Sequence, residues 1–240
     1  MKYLIGNWKA NKTLKEARSW VEEVKKEKPT IDKRLKVVLC PAFIHLPLFK
    51  EEFPQLTLGC QDLSPYGDGA YTGQVTARMM RSLVEYTILG HSERRRYFQE
   101  TEIKVAQKAV QALDNGITPI IAVDADNWRR QLNALDEGMI NKSILMYEPP
   151  EAISKQIGPI GKGEPAPIDE VKEAIVKIKK ETEAPTVIYG GSVKSHNIAI
   201  FLEEPLIDGV LPGSASLNAA EWLKMIRIAN QTIIKTTETP

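Results

Sequence analysis

The sequence predicts an α/β protein, a single (β/α)₈ barrel domain that spans residues 1–240. Eight short apolar segments alternate with amphipathic segments from one end of the chain to the other. No linker rich in Gly, Pro or Ser and no change in composition divides the chain. A doubly wound sheet could use the same alternation, but eight repeats in a chain of 240 residues match a closed parallel barrel.

The predicted strands are short runs of apolar, often β-branched residues. The run Tyr86-Thr87-Ile88-Leu89 has no polar alternation, which is typical of a strand that is buried on both faces. Parallel barrel strands are covered by their own interior on one side and by helices on the other. The eight predicted strands are Tyr3–Trp8, Lys36–Cys40, Leu56–Gln61, Tyr86–Gly90, Thr118–Val123, Ser143–Tyr147, Thr186–Tyr189 and Asp208–Leu211.

The clearest predicted helices have apolar residues three and four positions apart and charged residues on the opposite face. Gly116 follows one of them at the place of a helix C-cap. These helices are Lys12–Lys28, Glu102–Asn115, Ile168–Thr182 and Ser216–Ile234.

Composition narrows the class of protein. The net charge of +1, from 32 basic and 31 acidic residues, gives no broad electrostatic footprint for nucleic acid. The chain has no apolar run long enough to span a membrane, and its first residues include only four apolar ones before Gly6, too few for the core of a signal peptide. We therefore expect a cytoplasmic protein whose Cys40 and Cys60 are reduced and buried. The three histidines are far apart and lack metal-ligand spacing, so no metal site is expected.

Polar residues follow several predicted strands at the point where each strand ends. Asn7 and Lys9 come after the first strand, His91 after the fourth and Glu148 after the sixth. Each residue alone fits an ordinary surface or core position. In a parallel barrel, however, the carboxyl ends of all strands share one rim, where barrel enzymes carry their reactive groups. Their joint placement predicts a reaction site at that rim.

Two glycine segments predict a phosphate site at the same rim. Gly190-Gly191-Ser192 follows the seventh strand, and Gly213-Ser214-Ala215-Ser216 follows the eighth. Such loops expose backbone N–H groups to an anion, and these two positions in the strand order are the usual phosphate site of such barrels. We therefore expect a small metabolite with one phosphate as substrate rather than a polymer.

Six segments resemble the motifs of the triosephosphate isomerase family. Together they cover essentially the whole chain in the family's order, and the combination is specific although no single motif is. The segments are GNWKAN at 6–11, GAYTGQVTARMM at 69–80, LGHSERRRYFQET at 89–101, YEP at 147–149, YGGSV at 189–193 and DGVLPGSASL at 208–217.

The resemblance implies a TIM barrel that interconverts dihydroxyacetone phosphate and D-glyceraldehyde 3-phosphate as a homodimer without a cofactor. Glu148 would move a proton between C1 and C2, and His91 would be a neutral electrophile on the carbonyl oxygen. Lys9 would stabilise the phosphate and the developing enediolate, and Asn7 would bind the substrate. In this family a carboxylate base acts together with a neutral histidine.

The residues after His91 are expected to support it. A helix that begins near Ser92 would put His91 at the positive end of the helix dipole, which disfavours the imidazolium. Glu93 would be available to Lys9. The neighbouring supporting residues are Ser92, Glu93 and Arg94, whereas Arg95 and Arg96 are expected to be solvated surface.

The phosphate contacts implied by the resemblance are Ser192, Gly213, Ser214 and one residue of the segment after Glu148. That segment is longer than the family's short lid. Alignment from its carboxyl end gives Gly161 as the contact, and alignment from Glu148 gives Ser154; we prefer Gly161.

The stretch Gly69–Gly73 resembles the loop by which each subunit of the family reaches into its partner's site. Thr72 lies near its tip, followed by Gly73 and Gln74. Gln74 stands where the family has a glutamate that pairs with the arginine matching Arg94. We therefore expect a neutral-to-charged hydrogen bond in place of that ion pair.

Two functions of different class follow. The first is an active isomerase. The second, motivated by the altered lid, is a catalytically weak barrel that binds a phosphorylated metabolite as a sensor or structural partner. Another phosphate-binding barrel with a different reaction is a third alternative. The combination of Glu148, His91 and Lys9 favours the isomerase, because phosphate binding alone needs no base.

Overall fold

The computed structural model describes residues 1–149 and 164–238. Its eight parallel strands are hydrogen-bonded in chain order, and β8 pairs back to β1, which closes the predicted TIM barrel. Each observed strand begins and ends within one residue of its prediction. The strands are β1 Lys2–Asn7, β2 Leu35–Cys40, β3 Thr57–Cys60, β4 Tyr86–Leu89, β5 Thr118–Val123, β6 Ile144–Tyr147, β7 Val187–Tyr189 and β8 Gly209–Val210.

Helices separate the strands and cover the outside of the barrel. In the described residues these are α1 Leu14–Glu27, α2 Leu46–Glu52, α3 Ala77–Met80, α4 Ser92–Phe98, α5 Glu102–Asp114, α6 Trp128–Asn133, α7 Glu137–Asn141, α8 Ile168–Thr182, α9 Ile198–Glu203 and α10 Ala219–Glu238.

The last predicted helix begins later than expected. Residues Ser214–Leu217 form a separate 3₁₀ turn, and α10 begins only at Ala219. The hydroxyl and backbone N–H of Ser216 both donate to the carbonyl of Gly213, at 2.7 and 3.0 Å, which tightens this turn. The predicted start at Ser216 was therefore wrong, because the turn uses the polar groups that would begin a helix there.

Local sequence explains where α1 and α5 begin. Thr13 accepts a hydrogen bond from the backbone N–H of Glu16, and the Glu16 carboxylate accepts the N–H of Thr13 at 2.7 Å, which completes a capping box. The hydroxyl of Thr101 accepts the N–H of Lys104 at the start of α5. These contacts satisfy backbone donors that have no partner inside the helix.

Neighbouring strand residues supply two different cores. Ile5, Ile88 and Ile188 point into the barrel, where they pack in one apolar cluster. Leu4 and Leu89, one residue away from two of them, point outward and pack in the cluster that includes the helices. Successive side chains alternate across a strand, so strands with two buried faces need continuous apolar runs, as the sequence predicts.

The barrel closes at a seam that requires glycine. β8 pairs with β1 through Tyr3 with Gly209 and Leu4 with Val210. A Cβ atom on Gly209 would overlap the carbonyl oxygen of Tyr3 and lie 2.7 Å from the Tyr3 nitrogen. Backbone cannot move aside as a flexible side chain can, so the strands would have to separate.

We expect Gly209→Ala to lower the free energy of unfolding by about 1–3 kcal/mol, the usual cost of overpacking. Denaturant titration would measure it. Gly138→Ala is the matched control: in helix α7 the new methyl group would meet only the end of the Asp136 side chain, at 3.3 Å. We expect it to be neutral or slightly stabilising, because alanine favours a helix over glycine. Equal effects of the two variants would contradict this account of the seam.

The two cysteines are buried and unpaired, as predicted. Burial raises the pKa of the Cys60 thiol to about 12, so this side chain behaves as a small apolar residue. In the part of the chain that the structure describes, every helix is too short or too polar to cross a membrane.

Candidate active site

The residues predicted to carry chemistry meet at the carboxyl ends of the strands. Two direct contacts join four of them. Lys9 Nζ lies 2.6 Å from Glu93 Oε1, so the expected pair between these side chains is confirmed. His91 Nε2 lies 2.9 Å from Glu148 Oε1. Segments from β1, β4 and β6 therefore converge on one mouth of the barrel.

Lys9 adopts an unusual backbone conformation that other residues stabilise. Its φ angle is +53°, in the left-handed region that non-glycine residues seldom occupy. Its N–H donates to the side-chain oxygen of Asn7 at 2.9 Å, and its carbonyl accepts the amide of Gln61 at 2.9 Å. Asn7 is itself buried, and Gln61 also donates to the carbonyl of Cys40 at 3.0 Å. These bonds fix the direction in which the ammonium group projects.

Gln61 is a site residue that the sequence analysis missed. Its position directly after β3 was the available signal, because the other site residues also follow strand ends.

His91 is the N-cap of α4, which begins at Ser92 as expected. Its Nδ1 accepts the backbone N–H of Glu93 at 3.2 Å, so this nitrogen carries a lone pair. The hydrogen of the neutral ring is then on Nε2, which donates to Glu148. The network thus assigns an uncharged imidazole whose N–H points toward the carboxylate.

Glu148 is a buried carboxylate with hydrogen bonds to both oxygens. Oε1 accepts from His91, and Oε2 accepts the backbone N–H of Ser92 at 3.0 Å. Burial raises the pKa of Glu148, whereas the hydrogen bonds from His91 and from the Ser92 N–H and the charge of Lys9 lower it. Because both of its oxygens accept N–H hydrogen bonds, the geometry favours the ionised form, which a proton acceptor needs.

The two glycine loops lie beside this site. A Cβ atom on Gly213 would come within 3.3 Å of Cε of Lys9, so the loop after β8 passes directly next to this side chain. Ser214 is exposed, and the carbonyl of Ser192 accepts the side-chain amide of Asn197 at 3.1 Å. Gly161 and Ser154, the alternative contacts after Glu148, lie outside the described residues.

Arg94 belongs to a compact cluster of four charged side chains. Its guanidinium lies 2.8 Å from Asp62 Oδ2 and 3.2 Å from Glu100 Oε1. Lys108 pairs with the same two acids, at 2.6 Å from Asp62 and in close contact with Glu100. The carboxylates that neutralise Arg94 therefore both belong to its own chain. Gln74 lies in the exposed segment 66–74, where its backbone N–H donates to the carbonyl of Tyr71 at 3.0 Å.

Arg95 is half-buried and bound by the protein, so the prediction that it is solvated surface was wrong. Its side chain is 14% exposed, its Nε donates to the carbonyl of Gly90 at 2.7 Å, and its Nη2 donates to Gln131 Oε1 at 2.6 Å. Its helix position turns it toward β5 and α6 rather than toward water. Arg96 is exposed as predicted, and its guanidinium lies 5.4 Å from the centre of the Tyr97 ring.

The described residues contain no group of three or more His, Cys, Asp and Glu side chains that could hold a metal ion.

A cavity of about 550 Å³ lies outside the barrel between α6, α7 and α8. Its lining includes none of the predicted site residues, and Arg129 and Glu181, which pair at 3.0 Å, form part of its wall.

Comparison with known proteins agrees with this geometry. The family model described as triosephosphate isomerase matches residues 2–229. The triosephosphate isomerase of Thermus thermophilus is 38% identical over 94% of this chain and 98% of its own length. Those of Mycoplasma mobile and Mesomycoplasma hyorhinis are 36% and 32% identical over 94% of this chain and 99% and 97% of their own lengths. The chain belongs to the triosephosphate isomerase family.

Proposed function

We propose that this protein interconverts dihydroxyacetone phosphate and D-glyceraldehyde 3-phosphate. The observation that carries the proposal is the 2.9 Å contact between the Glu148 carboxylate and Nε2 of His91, whose Nδ1 accepts the N–H of Glu93. A carboxylate base and a neutral donor are the two groups needed to move a proton next to a carbonyl. Mere phosphate binding would need neither.

In the proposed reaction, Glu148 takes a proton from C1 of the ketone. The electrons of that C–H bond form the C1–C2 double bond, and the carbonyl electrons move onto O2. His91 donates its Nε2 hydrogen to O2 and then takes the hydroxyl proton from O1. Glu148 returns its proton to C2, which completes the aldehyde. No electrons are gained or lost, so we propose no cofactor.

Charge on the enediolate oxygen would be stabilised by Lys9, whose ammonium is directed by the Asn7 and Gln61 contacts. We assign the phosphate to Ser192, Gly213 and Ser214, because Gly213 adjoins Lys9. Asn7 would bind the substrate, and Gly161 is proposed as a further phosphate contact. Ser92, Glu93 and Arg94 would support His91 and Lys9.

A coupled assay on glyceraldehyde 3-phosphate tests the function. We expect steady turnover without added metal or cofactor. A folded, dimeric sample with no turnover in either direction would overturn the isomerase and leave the binding-only alternative.

We further propose that the protein is a homodimer whose loop Gly69–Gly73 enters the partner's site, with Thr72, Gly73 and Gln74 at the contact. Residues 66–74 are exposed, although Tyr66 and Tyr71 stack at 4.5 Å between ring centres. An exposed loop with aromatic side chains supports an interface, because aromatic residues are enriched in protein–protein interfaces.

Light scattering should give twice the chain mass of 26.9 kDa. We expect Thr72→Arg to shift the protein toward the single-chain mass and to lower activity, because a bulky charge would have to be desolvated in the interface. Thr30→Arg, at another exposed position, is the control and should remain dimeric. A wild-type protein of single-chain mass at micromolar concentration would contradict the dimer.

We also assign the protein to the cytoplasm. The two buried, unpaired thiols support a reducing compartment. Cell fractionation would test this assignment, and recovery in an extracellular fraction would contradict it.

A further inference from the structure

Gly90, the residue directly before His91, has both of its polar backbone groups bound by charged side chains. Its N–H donates to Glu100 Oε2 at 3.2 Å, and its carbonyl accepts from Arg95 Nε at 2.7 Å. Its φ angle is +69°, and a Cβ atom there would lie 2.6 Å from the Arg95 guanidinium. Hydrogen bonds to ionised groups are about twice as strong as neutral ones. The residue that precedes His91 is therefore held at both of its backbone polar groups.

Each of the two charged side chains is anchored to a different part of the barrel. Arg95 Nη2 also donates to Gln131 Oε1 at 2.6 Å and to the carbonyl of Ala122 in β5 at 3.3 Å. Glu100 is 3% exposed at its side chain and is bound by Lys108 and by Arg94 Nε. The contacts made by Arg95 thus connect Gly90 to β5 and α6, and those made by Glu100 connect it to α5 and α4.

We propose that Arg95 and Glu100 are positioning residues that fix the orientation and tautomer of His91. This inference rests on the proposed function, because it concerns the electrophile of that reaction. Rotation of the backbone at Gly90 would move the ring of His91 relative to both Glu148 and the N–H of Glu93. Loss of the Glu93 contact would also free Nδ1 to carry the hydrogen. A displacement of about 1 Å in such a site costs about 10²-fold in rate.

The kinetic test uses Arg95→Met, which keeps the length of the side chain and removes its donors. We expect kcat to fall by about 10²-fold while KM changes little, because the residues proposed to bind phosphate are not altered. Arg95→Lys should recover part of the loss, since one ammonium cannot reproduce the planar fork that reaches Gly90 and Gln131 together. Arg96→Met, the adjacent exposed arginine, is the control and should keep wild-type kcat.

A spectroscopic test needs no turnover. The chain has only three histidines, His45, His91 and His196, so their ring nitrogens can be observed by ¹⁵N NMR and assigned with His91→Gln. We expect a single Nε2–H form of His91 in the wild type and a mixture of tautomers in Arg95→Met. The same form in both proteins, together with wild-type kcat in the variant, overturns the proposal.

The two tests separate failure of this inference from failure of the proposed function. An inactive wild type refutes the isomerase reaction, whereas an active wild type with no effect of Arg95→Met refutes only the positioning role. If Arg95→Met does not fold, Arg95→Lys decides. Wild-type kcat and wild-type histidine shifts in that variant overturn the proposal, and reduced kcat with altered shifts supports it.

Discussion

Replacing Glu148 with glutamine is expected to lower kcat by at least about 10²–10⁴-fold, the usual contribution of general acid–base catalysis. An amide cannot accept the carbon proton at neutral pH. Its carbonyl oxygen can still accept the N–H of Ser92 or of His91, so we expect the fold to be kept. Rates should be measured in both directions, because the same group serves each half of the proposed reaction.

Glu137→Gln is the matched control for this substitution. Glu137 is exposed in the first turn of α7, and the same change of charge there should leave kcat unchanged. Wild-type turnover in Glu148→Gln would mean that another group accepts the proton. A loss of turnover accompanied by unfolding would be detected by circular dichroism, and Glu148→Asp would then be used, since it keeps the charge and retracts the carboxylate.

Replacing Lys9 with methionine is expected to lower kcat/KM by about 10²–10³-fold, as for loss of one preorganised group that stabilises an oxyanion. The substitution keeps most of the side-chain length beside Gly213 but removes the charge. Glu93 loses its partner, yet its side chain is 36% exposed and can be solvated. The free energy of unfolding should therefore change little, so the effect should be kinetic.

Lys36→Met separates this effect from the general loss of an ion pair. Lys36 pairs with Glu85 at 2.9 Å and has a side-chain exposure of 30%, close to the 29% of Lys9. It lies near the opposite end of its strand from the mouth, so kcat/KM should be unchanged. Equal losses in the two variants would show that net charge, rather than the position of the ammonium, governs the rate.

The strands could be predicted from sequence because the physical requirement on them is simple. A parallel strand buried on both faces must be apolar throughout, and Tyr86–Leu89 and Thr118–Val123 meet that requirement without ambiguity. The short helices, such as α3 and α7 with four and five residues, complete too few turns to display a helical period. They depend on contacts with the rest of the fold.

The candidate site shows the same limit at the level of single side chains. Glu148, His91 and Lys9 could be found because each follows a strand in a recognisable motif. The role of Arg95 could not be found in this way, because a run of three arginines does not show which of them contacts the protein and which contacts water. The hydrogen bond from Arg95 to Gln131 joins residues that are 36 positions apart in the chain and meet only in the folded barrel.

The charge balance around Arg94 bears on how the proposed dimer assembles. Asp62 and Glu100 neutralise Arg94 and Lys108 within one polypeptide, so no charge from a second chain is required to complete this cluster. We therefore expect each protomer to form this charged cluster during its own folding, which is a first-order step. Association of two protomers would then be a separate, second-order step. Dilution should slow association but not the folding of each protomer.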